Sequence, residues 1–176
     1  MSSTLTRILP LPGKPDLARW QAAMPLRYPA LLESAATGLP LGRYDILLRA
    51  GSGVLTLGAD GLAHGTQAMA GGFLASLDAW WRAERIDGES SELPFRGGWC
   101  LYLGYELAAE VEPRLRLPVT GALRAQAIRC HAAVIYDHLH RRTVLVAERG
   151  HEALLDELEA DLREPPPILD GPASAL

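Results

Sequence analysis

Cysteine is scarce. Cys100 and Cys130 are the only two in the chain, too few for a disulfide framework, so a reduced, cytoplasmic setting is expected. No run reaches the roughly 18 consecutive apolar residues that a membrane span needs. The longest uncharged stretch, Gly61 to Leu77, is interrupted by glycines, His64, Thr66 and Gln67. Arg7 near the N-terminus is followed at once by Pro10 and Pro12, which leaves no apolar core for a secretory signal. Positive charge is short as well: 17 basic residues face 21 acidic ones, for a net charge of −4. Lys14 is the only lysine. Without a basic face, neither nucleic acid nor an anionic membrane surface is an expected partner.

What is present suits a folded chain. Of the 176 residues, 48% are apolar and 22% charged, enough for a core without metal or disulfides. The length fits one domain, or at most two small ones. The expected division is a domain over residues 1–164 and a proline-rich linker or tail over 165–176.

Periodicity gives the elements. Leu5 to Leu11 reads as a first strand ending in prolines, and Pro15-Asp16 starts a helix that runs through Trp20 and stops before Pro25. Ala30 to Ser34 and Tyr44 to Leu48 read as strands. Gly51-Ser52-Gly53 reads as a turn before Val54 to Leu57, and Ala59-Asp60-Gly61 reads as a hairpin turn before Leu62 to His64. Between Gln67 and Arg85, Phe73, Leu77, Trp80 and Trp81 share one helical face. Gly97 to Leu103 is a strand, and a short helix surrounds Glu106 to Val111. Ile128 to Tyr136 and Thr143 to Ala147 form a hairpin across Asp137 to His140. His151 to Arg163 is the last helix, with its leucines on one face. Strand pairs separated by helices, without strict alternation, predict an α+β fold with a mostly antiparallel sheet flanked by helices.

Few constellations suggest chemistry. Neither Gly51-Ser52-Gly53 nor Gly97-Gly98 precedes a helix as a phosphate cradle requires, and Gly97-Gly98 reads instead as a bulge or a close backbone approach. His138 and His140 lie two apart and in a strand could share a metal. At a hairpin turn with no third ligand beside them they read as solvated, so no metal site is assigned. His64, His131 and His151 are scattered, and Cys100 and Cys130 read as small buried apolar groups. Glu106, Glu110 and Glu112 read as a solvated helix face. Glu33 interrupts an apolar strand and needs a partner. Arg43, ten residues on, gives two readings: a structural Glu33–Arg43 pair, or a pocket for a zwitterion with Glu33 on the ammonium and Arg43 on the carboxylate.

Several segments resemble one family. They are Leu31-Leu32-Glu33-Ser34-Ala35, Gly42-Arg43-Tyr44-Asp45-Ile46-Leu47, Leu93-Pro94-Phe95-Arg96-Gly97-Gly98 and Gly104-Tyr105-Glu106-Leu107, with Ala133 to Asp137 and His138 as a strand and its turn. Together they resemble the N-terminal region of the chorismate-utilising enzymes, aminodeoxychorismate synthase component I and anthranilate synthase component I. Arg43 to Leu47 looks more like the former. The resemblance implies a tryptophan-type pocket lined by Leu32, Ser34, Leu41, Gly42, Arg43 and Tyr44, with Glu33 near the amino group. Leu41 and Gly42 depart from the Tyr and Ser that relatives can carry, Leu101 replaces a frequent glycine, and Glu106 an aspartate.

The resemblance further implies that chorismate and Mg²⁺ bind in a C-terminal catalytic domain that is absent from this chain. The whole enzyme would make 4-amino-4-deoxychorismate for p-aminobenzoate and folate synthesis, with ammonia from a glutamine amidotransferase subunit. No catalytic residue and no cofactor is assigned to this segment, which alone is expected to be inactive. The other readings are the N-terminal domain of anthranilate synthase component I with a tryptophan feedback site, or a stand-alone binding domain. Apolar surface meant for a catalytic domain would be exposed, and a homodimer could cover it.

Overall fold

The computed structural model describes residues 4–34, 42–66, 68–85, 92–118 and 121–166. It is an α+β structure with an antiparallel seven-stranded sheet. Five strands run in the order β1-β7-β6-β3-β2, with β4 added to β3 and β5 to β6. The strands are β1 Thr4–Leu9, β2 Ala30–Leu32, β3 Tyr44–Gly58, β4 Ala63–Gly65, β5 Gly98–Leu103, β6 Leu123–Asp137 and β7 Arg142–Glu148. The helices are α1 Leu17–Ala23, α2 Phe73–Glu84, α3 Ala108–Val111 and α4 Ala153–Arg163, with a 3-10 turn at Tyr105–Leu107. None of the described helices is long and apolar enough to cross a membrane.

The chain divides into two compact units. The first comprises Met1–Ala50, Gly88–Gly97 and His131–Leu176; the second comprises Gly51–Asp87 and Gly98–Cys130. In the first, β1 lies antiparallel on β7 from Thr4↔Glu148 to Leu9↔Thr143. β7 pairs with β6 from Ala132↔Ala147 to Asp137↔Arg142. α1 buries Leu17 and Trp20, three apart, and α4 buries Leu155, Leu158 and Leu162. These side chains meet Leu47, Val134 and Leu145 of the sheet in one core. The leucine periodicity of α4 therefore marks its buried stripe. The helix itself starts at Ala153 rather than His151, because Gly150 turns the chain with φ +90°.

In the second unit Phe73 and Trp80 of α2 pack on Leu55, Leu57, Ala125 and Ala127. The turn expected at Gly51-Ser52-Gly53 is not there: β3 runs unbroken for 15 residues. Gly53 has a packing reason instead, since a Cβ on it would stand 2.5 Å from Cζ2 of the buried Trp80. The strand admits no side chain where the indole lies against it. The Asp60-Gly61 hairpin forms as expected. Gly61 takes φ +73°, the Leu62 amide donates to Asp60 Oδ1 at 3.1 Å, and Leu57 pairs with Ala63.

Three further expectations need correction. β2 covers three residues rather than five, so Glu33 and Ser34 follow the strand instead of alternating within it. α2 begins at Phe73 rather than near Gln67, after Gly72 at φ +91°. Glu110 is not a solvated acid: its carboxylate accepts the Phe73 and Leu74 amides at 3.0 and 2.9 Å. Those are the first amides of α2, whose capping residue Gly72 has no side chain to offer. The proline-rich tail beyond Pro166, and Ala35 and Leu41 of the predicted motif, lie outside the described residues.

Candidate functional site

Of the predicted site residues, Glu33, Ser34 and Arg43 stand, within the first unit, around two buried carboxylates, Asp45 and Asp137. Asp45 is the second residue of β3, and its side chain faces inward. It receives Lys14 Nζ at 2.7 Å, His138 Nε2 at 2.8 Å and the Ser34 amide at 3.3 Å. Burial alone would raise the carboxyl, but the bonds from Lys14, His138 and Ser34 bring it below the usual aspartate value. Lys14 also reaches Glu33 Oε1 at 3.1 Å, so one ammonium bridges an exposed and a buried acid.

Asp137 closes β6 and is the second hub. Arg43 donates to it twice, Nε to Oδ1 at 3.1 Å and Nη2 to Oδ2 at 2.9 Å. His140 Nδ1 lies 2.7 Å from Oδ2, and the amides of Leu139 and His140 donate to Oδ1 at 3.0 and 3.3 Å. Burial opposes the charge here too, yet Arg43, His140 and the two amides hold the carboxyl well below the usual carboxylate range. The hubs are joined through the backbone, because the His138 amide donates to the Arg43 carbonyl at 2.9 Å.

This geometry replaces the expected Glu33–Arg43 pair: Glu33 takes Lys14, and Arg43 takes Asp137. It also separates His138 from His140, each bonded to a different aspartate. Tyr44 donates its hydroxyl to the Glu92 carbonyl at 3.1 Å, and the Arg43 guanidinium stands 4.7 Å above its ring. Arg43 and Tyr44 line a cavity of about 170 Å³ with Ile8, Leu93 and Arg142. Leu32 is exposed, and Gly42 is buried beside Arg43. Leu41 lies outside the described residues.

The periodicity of the chain did not single out Lys14, Asp45 or Asp137. Signals for them existed nonetheless: the only lysine, an acid inside an apolar strand, and an acid closing the most apolar one.

The second unit holds a different kind of surface. Leu74, Leu77, Trp81, Trp99 and Leu101 line an apolar groove of about 270 Å³, and Leu101, Tyr102, Leu103 and Tyr105 are exposed around β5 and its end. Beneath it Arg129 is buried and fully engaged. Its Nε donates to Glu84 at 2.8 Å, Nη1 donates to the Gly98 carbonyl at 2.9 Å, and its guanidinium stacks 4.4 Å over Trp99. Cys130 is buried, and Cys100 is half-buried with burial pushing its thiol up.

No family model matches the sequence, and comparison with curated proteins returns no match. Among solved structures, the crystal structure of anthranilate synthase component I from Streptococcus pneumoniae TIGR4 superposes with a TM-score of 0.58 at 21% identity, over 78% of this chain. The match takes in 32% of that protein, so the present chain spans about a third of its length. At that identity the shared property is the backbone arrangement: the chain has the α+β fold found in part of that anthranilate synthase component I.

Proposed function

We propose that the chain acts as the N-terminal domain of an aminodeoxychorismate synthase component I, the enzyme that aminates chorismate to 4-amino-4-deoxychorismate. The observation that carries this reading is the fold shared with anthranilate synthase component I. The Arg43 to Leu47 segment favours the aminodeoxychorismate branch. In this reading the domain contributes no catalytic group. A catalytic domain holds chorismate and Mg²⁺, and a glutamine amidotransferase subunit supplies ammonia. The apolar groove and the exposed face around β5 suit packing against such a catalytic domain.

In this reading Lys14 weighs against free tryptophan as a ligand of the tryptophan-type pocket. An incoming α-ammonium would compete for Glu33 and Asp45, the acceptors that Lys14 already holds. A domain that satisfies its own acids has less to gain from a free amino acid.

The test is product analysis. The chain alone, given chorismate, ammonia and Mg²⁺, is expected to form no product. The protein from the complete reading frame is expected to form 4-amino-4-deoxychorismate. Anthranilate as product, with strong competitive inhibition by tryptophan, would move the chain to the anthranilate synthase branch. A complete reading frame that binds no chorismate would overturn the proposal.

A further inference from the structure

A second constellation lies on the first unit, apart from the two aspartate hubs. His131 is on β6, Glu148 is the last residue of β7, and His151 stands in the turn before α4. The β6–β7 register, extended one step past Ala132↔Ala147, sets His131 beside Glu148. His131 Nδ1 lies 2.7 Å from Glu148 Oε2. The His151 amide donates to the Glu148 carbonyl at 3.0 Å, which folds the turn back over the strand end. Its ring stacks on His131, with centroids 3.8 Å apart and planes 14° from parallel. One donor atom from each of the three residues falls within 4.8 Å of the others.

We infer that His131, Glu148 and His151 form a binding site for a divalent transition-metal ion, for which Zn²⁺ is the best-suited occupant. Two imidazoles and one carboxylate are a borderline-soft set that suits Zn²⁺ and leaves a fourth tetrahedral position for water. At metal–ligand bonds of about 2.0–2.1 Å, tetrahedral donors stand about 3.4 Å apart. His131 Nδ1 and Glu148 Oε2, now 2.7 Å apart, must open by a few tenths of an ångström, and His151 must bring its donor to the same spacing. The ion takes the place of the proton now shared by His131 Nδ1 and Glu148 Oε2.

Two ligands are held in place beforehand. His131 is fixed by the sheet. The Glu148 carboxylate, 5% exposed, lies against the α-carbon of Gly97, where a Cβ would overlap it. Gly97 also takes φ +106°, a conformation only glycine adopts readily, so the backbone there leaves the room that Glu148 uses. The third ligand is the adjustable one. Stacked rings cannot both aim an in-plane lone pair at one ion, so His151 must turn out of the stack. It is solvent-accessible and follows Gly150, and can turn without disturbing the core. Once bound, the ion ties the start of α4 to the β6–β7 hairpin.

The experiment is Zn²⁺ titration of the untagged 176-residue chain by calorimetry, with Co²⁺ absorption reporting the geometry. The expected result is one ion per chain, a tetrahedral Co²⁺ spectrum and a raised melting temperature. His151→Ala is expected to weaken binding by more than about 100-fold, beyond the 10–100-fold typical of losing a group that merely orients a ligand. Because His151 lies outside the sheet, the variant should keep its circular dichroism. His64→Ala, which removes an exposed histidine of the second unit, should bind as the parent does. In NMR, the His131 and His151 ring signals should shift together on Zn²⁺ addition. Absence of one-to-one binding, or unchanged affinity in His151→Ala, would overturn the assignment. Neither result depends on chorismate chemistry.

Discussion

Asp137 carries the most demanding prediction. Its side chain is inaccessible to solvent, and it accepts two bonds from Arg43, one from the His140 ring and two from backbone amides. Removing one member of a buried pair strands the other and costs about 3–5 kcal/mol. Arg43 keeps 29% of its side chain exposed and recovers some hydration, so the lower end, about 3 kcal/mol, applies to Asp137→Ala. At about 2–4 °C per kcal/mol for a chain of this size, the melting temperature should fall by about 6–12 °C.

Asp137→Asn keeps the shape and removes the charge, so it isolates the electrostatic part. The folded carboxyl titrates below its unfolded value of about 3.9. A depressed folded pKa gives stability that is fully present above the unfolded pKa and is lost as the pH falls toward the folded one. The gap between wild type and Asp137→Asn should therefore narrow as the pH falls below about pH 4. Urea melts at several pH values measure it. A drop of less than about 2 °C for Asp137→Ala, or a gap that ignores pH below 4, would refute the reasoning.

Two other substitutions probe the second unit. Gly53→Ala places a methyl 2.5 Å from Trp80 Cζ2, against an indole held by Glu84 at 2.7 Å and by an edge contact with Trp99. It should cost about 1–3 kcal/mol and alter tryptophan fluorescence; unchanged emission and urea midpoint would show that the strand yields freely. Glu110→Ala uncaps α2 by removing both acceptors at Phe73 and Leu74. About 1–2 kcal/mol and faster amide exchange at those two residues are expected, and unaltered exchange would count against the cap.

The local grammar of the fold was legible. Leucines three and four apart marked α4, Asp60-Gly61 marked its hairpin, and the apolar run from Ile128 marked the later part of β6, which starts at Leu123, because each signal depends on neighbours a few residues away. Gly51-Ser52-Gly53 misled because glycine permits a turn without requiring one. What fixes it in a strand is Trp80, 27 residues on, whose indole needs the space. Glu110 misled similarly, since its partners are amides 36 and 37 residues back.

The same division runs through the candidate site. Composition and pattern determined an α+β chain without a disulfide framework, and they marked Glu33 as an acid that needs a partner. Only the tertiary structure decided that the partner is Lys14 rather than Arg43, that Arg43 belongs to Asp137, and that His131, Glu148 and His151 meet at one strand end. Charges pair with whatever the sheet register and the chain turns bring within about 3 Å, and register is set by the burial of whole strands rather than by the residues that end up touching.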